Sequence, residues 1–287
     1  MTHSIALQFL NGLSLAALLF LLASGFTLTF GLARVVNMAH GAYYLIGGYL
    51  GLQVVVWTGS FSLGVVAGGL SVVAINFAVD RTLITRTKGD PLLQVLLTIG
   101  ITYVIAETAL LIWGGDPMRV PQPDWARGPV VLPGDVFYPR YRFLLIVLGL
   151  AVAALLWALY RLTPMGAIVR AGVDDREMTE ALGVNITLLF TLVFALAAFL
   201  AGASGVLGGA FLTLYPHAEW DILILALVVV IIGGLGSIEG AMAGSLFVGL
   251  IDSFGRWLLP EAAGFMLFGP MAVLLLLRPQ GLFGRAH

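Results

Sequence analysis

The chain has 287 residues, 60% of them hydrophobic and only 10% charged, with a net charge of −1 and a mean hydropathy of +1.03. A soluble domain carries about 25% charged residues, so this is the composition of a polytopic membrane protein solvated largely by lipid. The near-zero net charge removes the electrostatic case for nucleic acid, and the absence of cysteine excludes disulfides and thiolate metal sites.

Charge-free runs long enough to cross the hydrocarbon core mark the expected spans. The N-terminal MTHS has no basic region, and the apolar run behind it is too long for a cleavable signal, so residues 4–33 are expected to form the first span. Residues 35–79 hold no formal charge apart from neutral His40 and are long enough for two spans, broken near Thr58-Gly59-Ser60. Residues 91–114 give a fourth span with Glu107 inside it. Residues 115–142 are rich in proline and charge and read as an extramembrane loop. A fifth span at 143–160 ends at Thr163-Pro164, where proline stops a helix. Residues 186–212, 222–235, 241–257 and 262–277 supply the rest. The fold class expected is all-α, a transmembrane bundle of about nine spans, with eight or ten also compatible because glycine-interrupted runs can be re-entrant.

Lysine and arginine concentrate on the cytoplasmic side of membrane proteins. Placing 166–185 inside puts Arg34, Arg81, Arg86, Lys88, Arg161, Arg170, Arg176, Arg278 and Arg285 there, against Arg119, Arg127, Arg140, Arg142 and Arg256 outside. The N-terminus is then outside and the C-terminus cytoplasmic. Trp57, Trp113, Trp220 and Trp257 fall at the outer ends of spans in this arrangement, where an amphipathic ring sits at the headgroups. Thirty-six glycines include the small-xxx-small pairs Gly47/Gly51, Gly64/Gly68, Gly205/Gly209 and Gly240/Gly244. Such pairs allow close helix packing, within one bundle or between subunits. An internal repeat is hardly visible, with only a faint likeness between His40-Gly41-Ala42 and Glu239-Gly240-Ala241.

Four segments carry polar chemistry. GAIVRAGVDDREMTEALGVN at 166–185 suits a short helix at the membrane surface. Asp174 is placed to cap it, with Glu177 completing a box-like pattern and Asp175 and Glu177 at the positive end of the dipole. Gly183 is a natural stop. Met178, Ala181 and Leu182 fall at i, i+3, i+4, the pattern of a helix laid into a partner's groove, and Arg176 and Glu180 are spaced for an ion pair. A solvated loop without a partner fits the same pattern. In the second segment, 31–51, Asn37 and His40 precede Gly41. Polar groups near lipid are functional candidates, though both residues also suit a cap on the helix that follows. Glu107 and Asp252 are carboxylates within spans, lining a pathway or pairing structurally, as Asp252 can with Arg256. The fourth, IGGLGSIEGAMAG at 232–244, has Gly234, Gly236 and Glu239 but misses the nucleotide-binding spacing. The sole lysine, Lys88, lacks the glycines of a P-loop. No metal site is expected from the scattered histidines. Catalysis by this chain is not expected, and an ATP-driven process would need another polypeptide for its ATPase.

Taken in order, GLARVVNMAHGAYYLIGGYLG at 31–51, TPMGAIVRAGVDDREMTEALGVN at 163–185, LAGASGVLGG at 200–209, IIGGLGSIEGAMAG at 231–244 and RPQGLFG at 278–284 resemble the permease subunits of branched-chain amino-acid ABC importers, LivH type. The resemblance covers nearly the whole chain. It implies a single permease domain over 1–287 in a bacterial inner membrane, with a fold similar to type II importer permeases. It implies a second permease subunit as partner and two cytoplasmic ATP-binding subunits, which bind the ATP and Mg, docked on the coupling segment. The coupling residues are then Asp174, Asp175, Arg176, Glu177, Met178, Glu180, Ala181, Leu182 and Gly183. A periplasmic binding protein would deliver cargo to outer loops including 115–142 and 215–221. Asn37, His40, Gly41, Glu107, Gly234, Gly236, Glu239 and Asp252 are the candidates for the pathway, and no cofactor is expected on this chain. The cargo implied is a branched-chain or other neutral amino acid. Relatives that carry urea, amides or small carboxylates keep those open, and a secondary transporter or channel is the competing class. The same resemblance implies that 31–51 is a broken helix with Arg34 buried.

Overall fold

A computed structural model describes residues 2–33, 36–87, 90–132 and 136–284. Arg34, Lys88 and Arg285, which entered the orientation argument, lie outside the described residues.

Eleven α-helices and one small hairpin are described. In chain order they are α1 (Thr2–Ala33), α2 (His40–Thr58), α3 (Phe61–Thr82), α4 (Pro91–Trp113), β1 (Pro129–Leu132), β2 (Val136–Pro139), α5 (Arg140–Leu162), α6 (Pro164–Asp174), α7 (Arg176–Ala181), α8 (Ile186–Phe211), α9 (Ala218–Gly233), α10 (Ile238–Leu258) and α11 (Ala263–Leu277). Each of the nine expected apolar segments is a helix. Six of them, α1, α3, α4, α5, α8 and α10, are long and apolar enough to cross a membrane. Shorter helices α9 and α11 have 16 and 15 residues. α2 has the length but is diluted by His40, three tyrosines and four glycines, because its surroundings are protein rather than lipid: its first half is almost wholly buried. The expected outer loop holds a single-turn helix at Asp124–Ala126 and the antiparallel β1–β2 pair, and α5 takes Arg140 and Arg142 into its first turn.

Local chemistry sets the helix ends. Asp90 caps α4 with Pro91 at its first position, and Ser237 caps α10 through Gly240 N at 3.0 Å. Gly59 takes the left-handed conformation, φ +68°, that closes α2 before Ser60 caps α3.

Glycine builds the centre. The Cβ that Gly47 lacks would sit 2.4 Å from the Cα of Gly202, that of Gly205 1.9 Å from the carbonyl oxygen of Tyr44, and that of Gly68 2.6 Å from the carbonyl oxygen of Gly47. α2, α3 and α8 therefore meet backbone to backbone, as lipid-solvated bundles require when no hydrophobic drive brings helices together. The small-xxx-small pairs named above serve packing within this chain.

The helices also form two equivalent sets. α1 packs most on α10 and also touches α9, while α8 packs on α3 and α2, and α1 and α8 pack on each other; α2 pairs with α3 as α9 pairs with α10. A single-turn helix joins α3 to α4 (Ile84–Thr87) and another joins α10 to α11 (Pro260–Ala262). The sets α1–α4 and α8–α11 thus repeat one plan, on either side of a linker made of the hairpin, α5, α6 and α7. They run in opposite senses. Tyr138 OH reaches Leu10 O and, three residues on, Tyr141 OH reaches Leu207 O, so the start of α1 lies with the end of α8. Gly25, in the last third of α1, meets Ala197 near the middle of α8. The faint sequence likeness pointed elsewhere: the structural counterpart of His40-Gly41 is the start of α9 at Ala218-Glu219, not Glu239-Gly240.

Candidate functional site

The segment between α5 and α8 is two helices rather than one. Thr163 Oγ1 accepts from Gly166 N at 3.4 Å with Pro164 following, so α6 begins at once after α5. Arg170 fastens it by donating to Tyr160 O and lying over the Tyr160 ring, 4.9 Å from its centroid. At Asp175 the backbone turns extended (φ −147°, ψ 99°), which separates α6 from α7. The expected cap was Asp174; the observed one is Asp175, whose Oδ1 accepts from Met178 N at 2.9 Å, while Asp174 ends α6. The expected Arg176–Glu180 pair forms at 2.9 Å, and Arg176 also reaches Thr187 Oγ1 on α8. Thr179 turns inward, and Gly183 takes φ +83° after the helix ends. The outer side carries Met178, 62% exposed, and Leu182, 77% exposed, beside exposed Ala181, Glu177 and Glu180. An apolar pair framed by charges projects from the bundle with nothing among the described residues covering it.

A second polar locus lies where the two helix sets meet. The stretch 36–39 folds back beside α4: Thr98 Oγ1 accepts from Met38 N at 3.2 Å and Thr102 Oγ1 donates to Met38 O at 3.1 Å. Asn37 Oδ1 accepts from Ala39 N, and Asn37 O accepts from His40 N, so Asn37 closes the turn before α2. His40 does not cap. It stands inside the first turn, buried, with Nε2 3.0 Å from Leu22 O on α1. A carbonyl only accepts, so Nε2 carries the proton. Gly41 lies against α9, where a Cβ would come within 2.2 Å of Glu219 O. α2 then runs with the C-terminal half of α8, whereas α9 runs towards the end of α1, where Gly236 meets Gly31. α2 and α9, of 19 and 16 residues, start beside each other at one buried point and leave it in opposite directions.

The remaining pathway candidates separate. Gly234 (φ +101°) and Gly236 (φ +80°) form the turn between α9 and α10, against which the C-terminal segment pairs through Leu282 N to Ile232 O and Phe283 N to Gly233 O. Glu239 joins this turn to the end of α5 through Arg161 at 2.8 Å. Asp252 pairs with Arg256 at 2.8 Å, the structural alternative weighed for it. Glu107 stands on the exposed face of α4 among Tyr103, Val104 and Leu111, with no ion-pair partner among the described residues. Thr98 and Thr102 were not singled out, because threonine in an apolar helix has no distinguishing pattern. Glu219 was also passed over, standing at the edge of a loop beside Asp221. It is the one fully buried carboxylate among the described residues, and neither of its oxygens has a hydrogen-bond partner there.

Comparison with known proteins identifies relatives of the chain. The family model described as branched-chain amino acid transport system / permease component matches residues 8–276. The permease BraD of a high-affinity branched-chain amino acid transport system from Pseudomonas aeruginosa is 27% identical over 300 residues, covering 97% of this chain and 95% of that protein. LivH of Escherichia coli K12, from a system of the same description, is 27% identical over 295 residues with the same coverage. A fructose import permease, FrcC of Rhizobium meliloti, is 26% identical over 197 residues, 64% of this chain and 53% of its own length. No solved structure matches the chain. Multi-pass helical architecture and a family match over nearly the whole length lead to one conclusion: the chain belongs to the family of branched-chain amino acid transport system permease components.

Proposed function

We propose that the protein is the membrane-spanning subunit of an ATP-driven importer for branched-chain or other neutral amino acids, working with a second permease, two cytoplasmic ATP-binding subunits and an external binding protein. The observation that carries this reading is α7. A capped helix with exposed Met178 and Leu182, framed by Arg176, Glu177 and Glu180, has the form of a surface laid into a groove on a soluble partner. Asp174–Gly183 is then the contact through which nucleotide binding on the ATPases moves the bundle. Its side is cytoplasmic, which sets the N-terminus outside and the hairpin facing the binding protein. In this reading the bundle has a plan similar to type II importers. His40, Asn37 and Gly41 lie at the pathway, and Gly234, Gly236 and Glu239 at its cytoplasmic end.

Glu180→Arg reverses a charge on the exposed face without touching the bundle. In reconstituted transporter it is expected to uncouple ATP hydrolysis from uptake while membrane insertion and yield stay at the wild-type level. Normal uptake by this variant removes α7 from the coupling role. Because a relative carries the name of a fructose importer, uptake is measured with sugar and urea beside leucine.

A further inference from the structure

Glu219 is 0% exposed, sits in the first turn of α9, and has two oxygens without hydrogen-bond partners among the described residues. A buried carboxylate is strongly disfavoured unless a cation or hydrogen-bond donor meets it. The nearest ionisable cover is His217, whose Nδ1 lies 3.7 Å from Glu219 Oε1 and whose side chain is 62% exposed. The linker that carries it is strained, with Thr213 at φ +93° and His217 at φ +69°, and such backbone strain gathers at ligand clamps and moving parts. Neither helix beginning here has a side-chain cap from its N-cap residue: Ala39 precedes α2, and His217 precedes α9 without bonding its first turn. Uncapped helix starts favour an anion. A zwitterion needs both halves, a carboxylate for its ammonium group and helix N-termini for its carboxylate.

We propose that Glu219, behind His217, receives the ammonium group of an α-amino acid, and so makes the permease selective for amine-bearing cargo. This rests on the importer reading above, and Glu219 acts in it as a binding residue.

The test uses the assembled transporter in proteoliposomes. Glu219→Gln keeps shape and hydrogen-bonding capacity but removes the charge. It is expected to lower leucine uptake about tenfold or more, the effect of losing a charged hydrogen bond, while ATP hydrolysis stimulated by the binding protein stays near wild type. Glu219→Asp is expected to recover part of the uptake. In the wild type, labelling of Glu219 by dicyclohexylcarbodiimide, read by mass spectrometry, is expected to be slowed by L-leucine and by L-leucinamide, which has the ammonium group without the carboxylate. The keto acid 4-methyl-2-oxopentanoate, which lacks the ammonium group, is expected to give no protection. Wild-type uptake in Glu219→Gln, equal protection by the keto acid, or loss of hydrolysis together with uptake in both variants overturns the proposal, the last by showing a purely structural acid. If the wild type takes up no leucine with ATP, the importer reading fails instead, and the leucinamide protection still decides the role of Glu219.

Discussion

Gly205 and Gly47 are held by contacts that no side chain survives. The Cβ of any residue at 205 meets the Tyr44 carbonyl, and at 47 the backbone of Gly202. Overpacking of this kind usually costs about 1–3 kcal/mol, more where backbone is the obstacle. Gly205→Val is therefore expected to lower the melting temperature of the purified protein sharply, while Gly100→Ala, with open space around it, leaves it unchanged or raised. Equal melting temperatures would refute the close packing. His40→Ala removes a buried bond to Leu22 O and should reduce stability by about 1–3 kcal/mol, with assembly retained and transport slowed; loss of assembly would mark His40 as a structural pin alone. Side-chain chemistry was legible in sequence where spacing alone decides it: Arg176–Glu180 and Asp252–Arg256 both pair at i, i+4. The bond from His40 to Leu22 was not, because a partner in a different helix leaves no local pattern.

Elements followed from composition where a long apolar run marks them, and α1, α3, α4, α5, α8 and α10 stand out in this way. The surface segment was legible as polar and glycine-bounded, but its division was not. Asp174 and Asp175 are adjacent and equally able to cap, and tertiary contacts decided: Arg170 on Tyr160 holds α6 in helix up to Asp174. This makes the cap testable. Asp175→Ala should weaken α7 by about 1 kcal/mol and reduce the coupling of hydrolysis to uptake, whereas Asp174→Ala should leave coupling near wild type. The reverse order of effects, measured in the same proteoliposomes, would return the cap to Asp174.

At the scale of the molecule, the two oppositely running helix sets were hidden from sequence because they share contacts rather than residues. His40-Gly41 and Ala218-Glu219 occupy equivalent places with no common side chain. Sidedness is directly accessible to experiment since the chain has no cysteine. A single cysteine at Ser60, between α2 and α3, is expected to react with an impermeant maleimide from outside, and one at Gly183 only from the cytoplasm; the opposite pattern inverts the orientation. The measurement that bears most directly on the account is uptake of labelled leucine into proteoliposomes containing this chain, its partner permease, the two ATPases and the binding protein. The account predicts uptake that requires both internal ATP and the binding protein. Leucine uptake by this chain alone, without ATP, would contradict it.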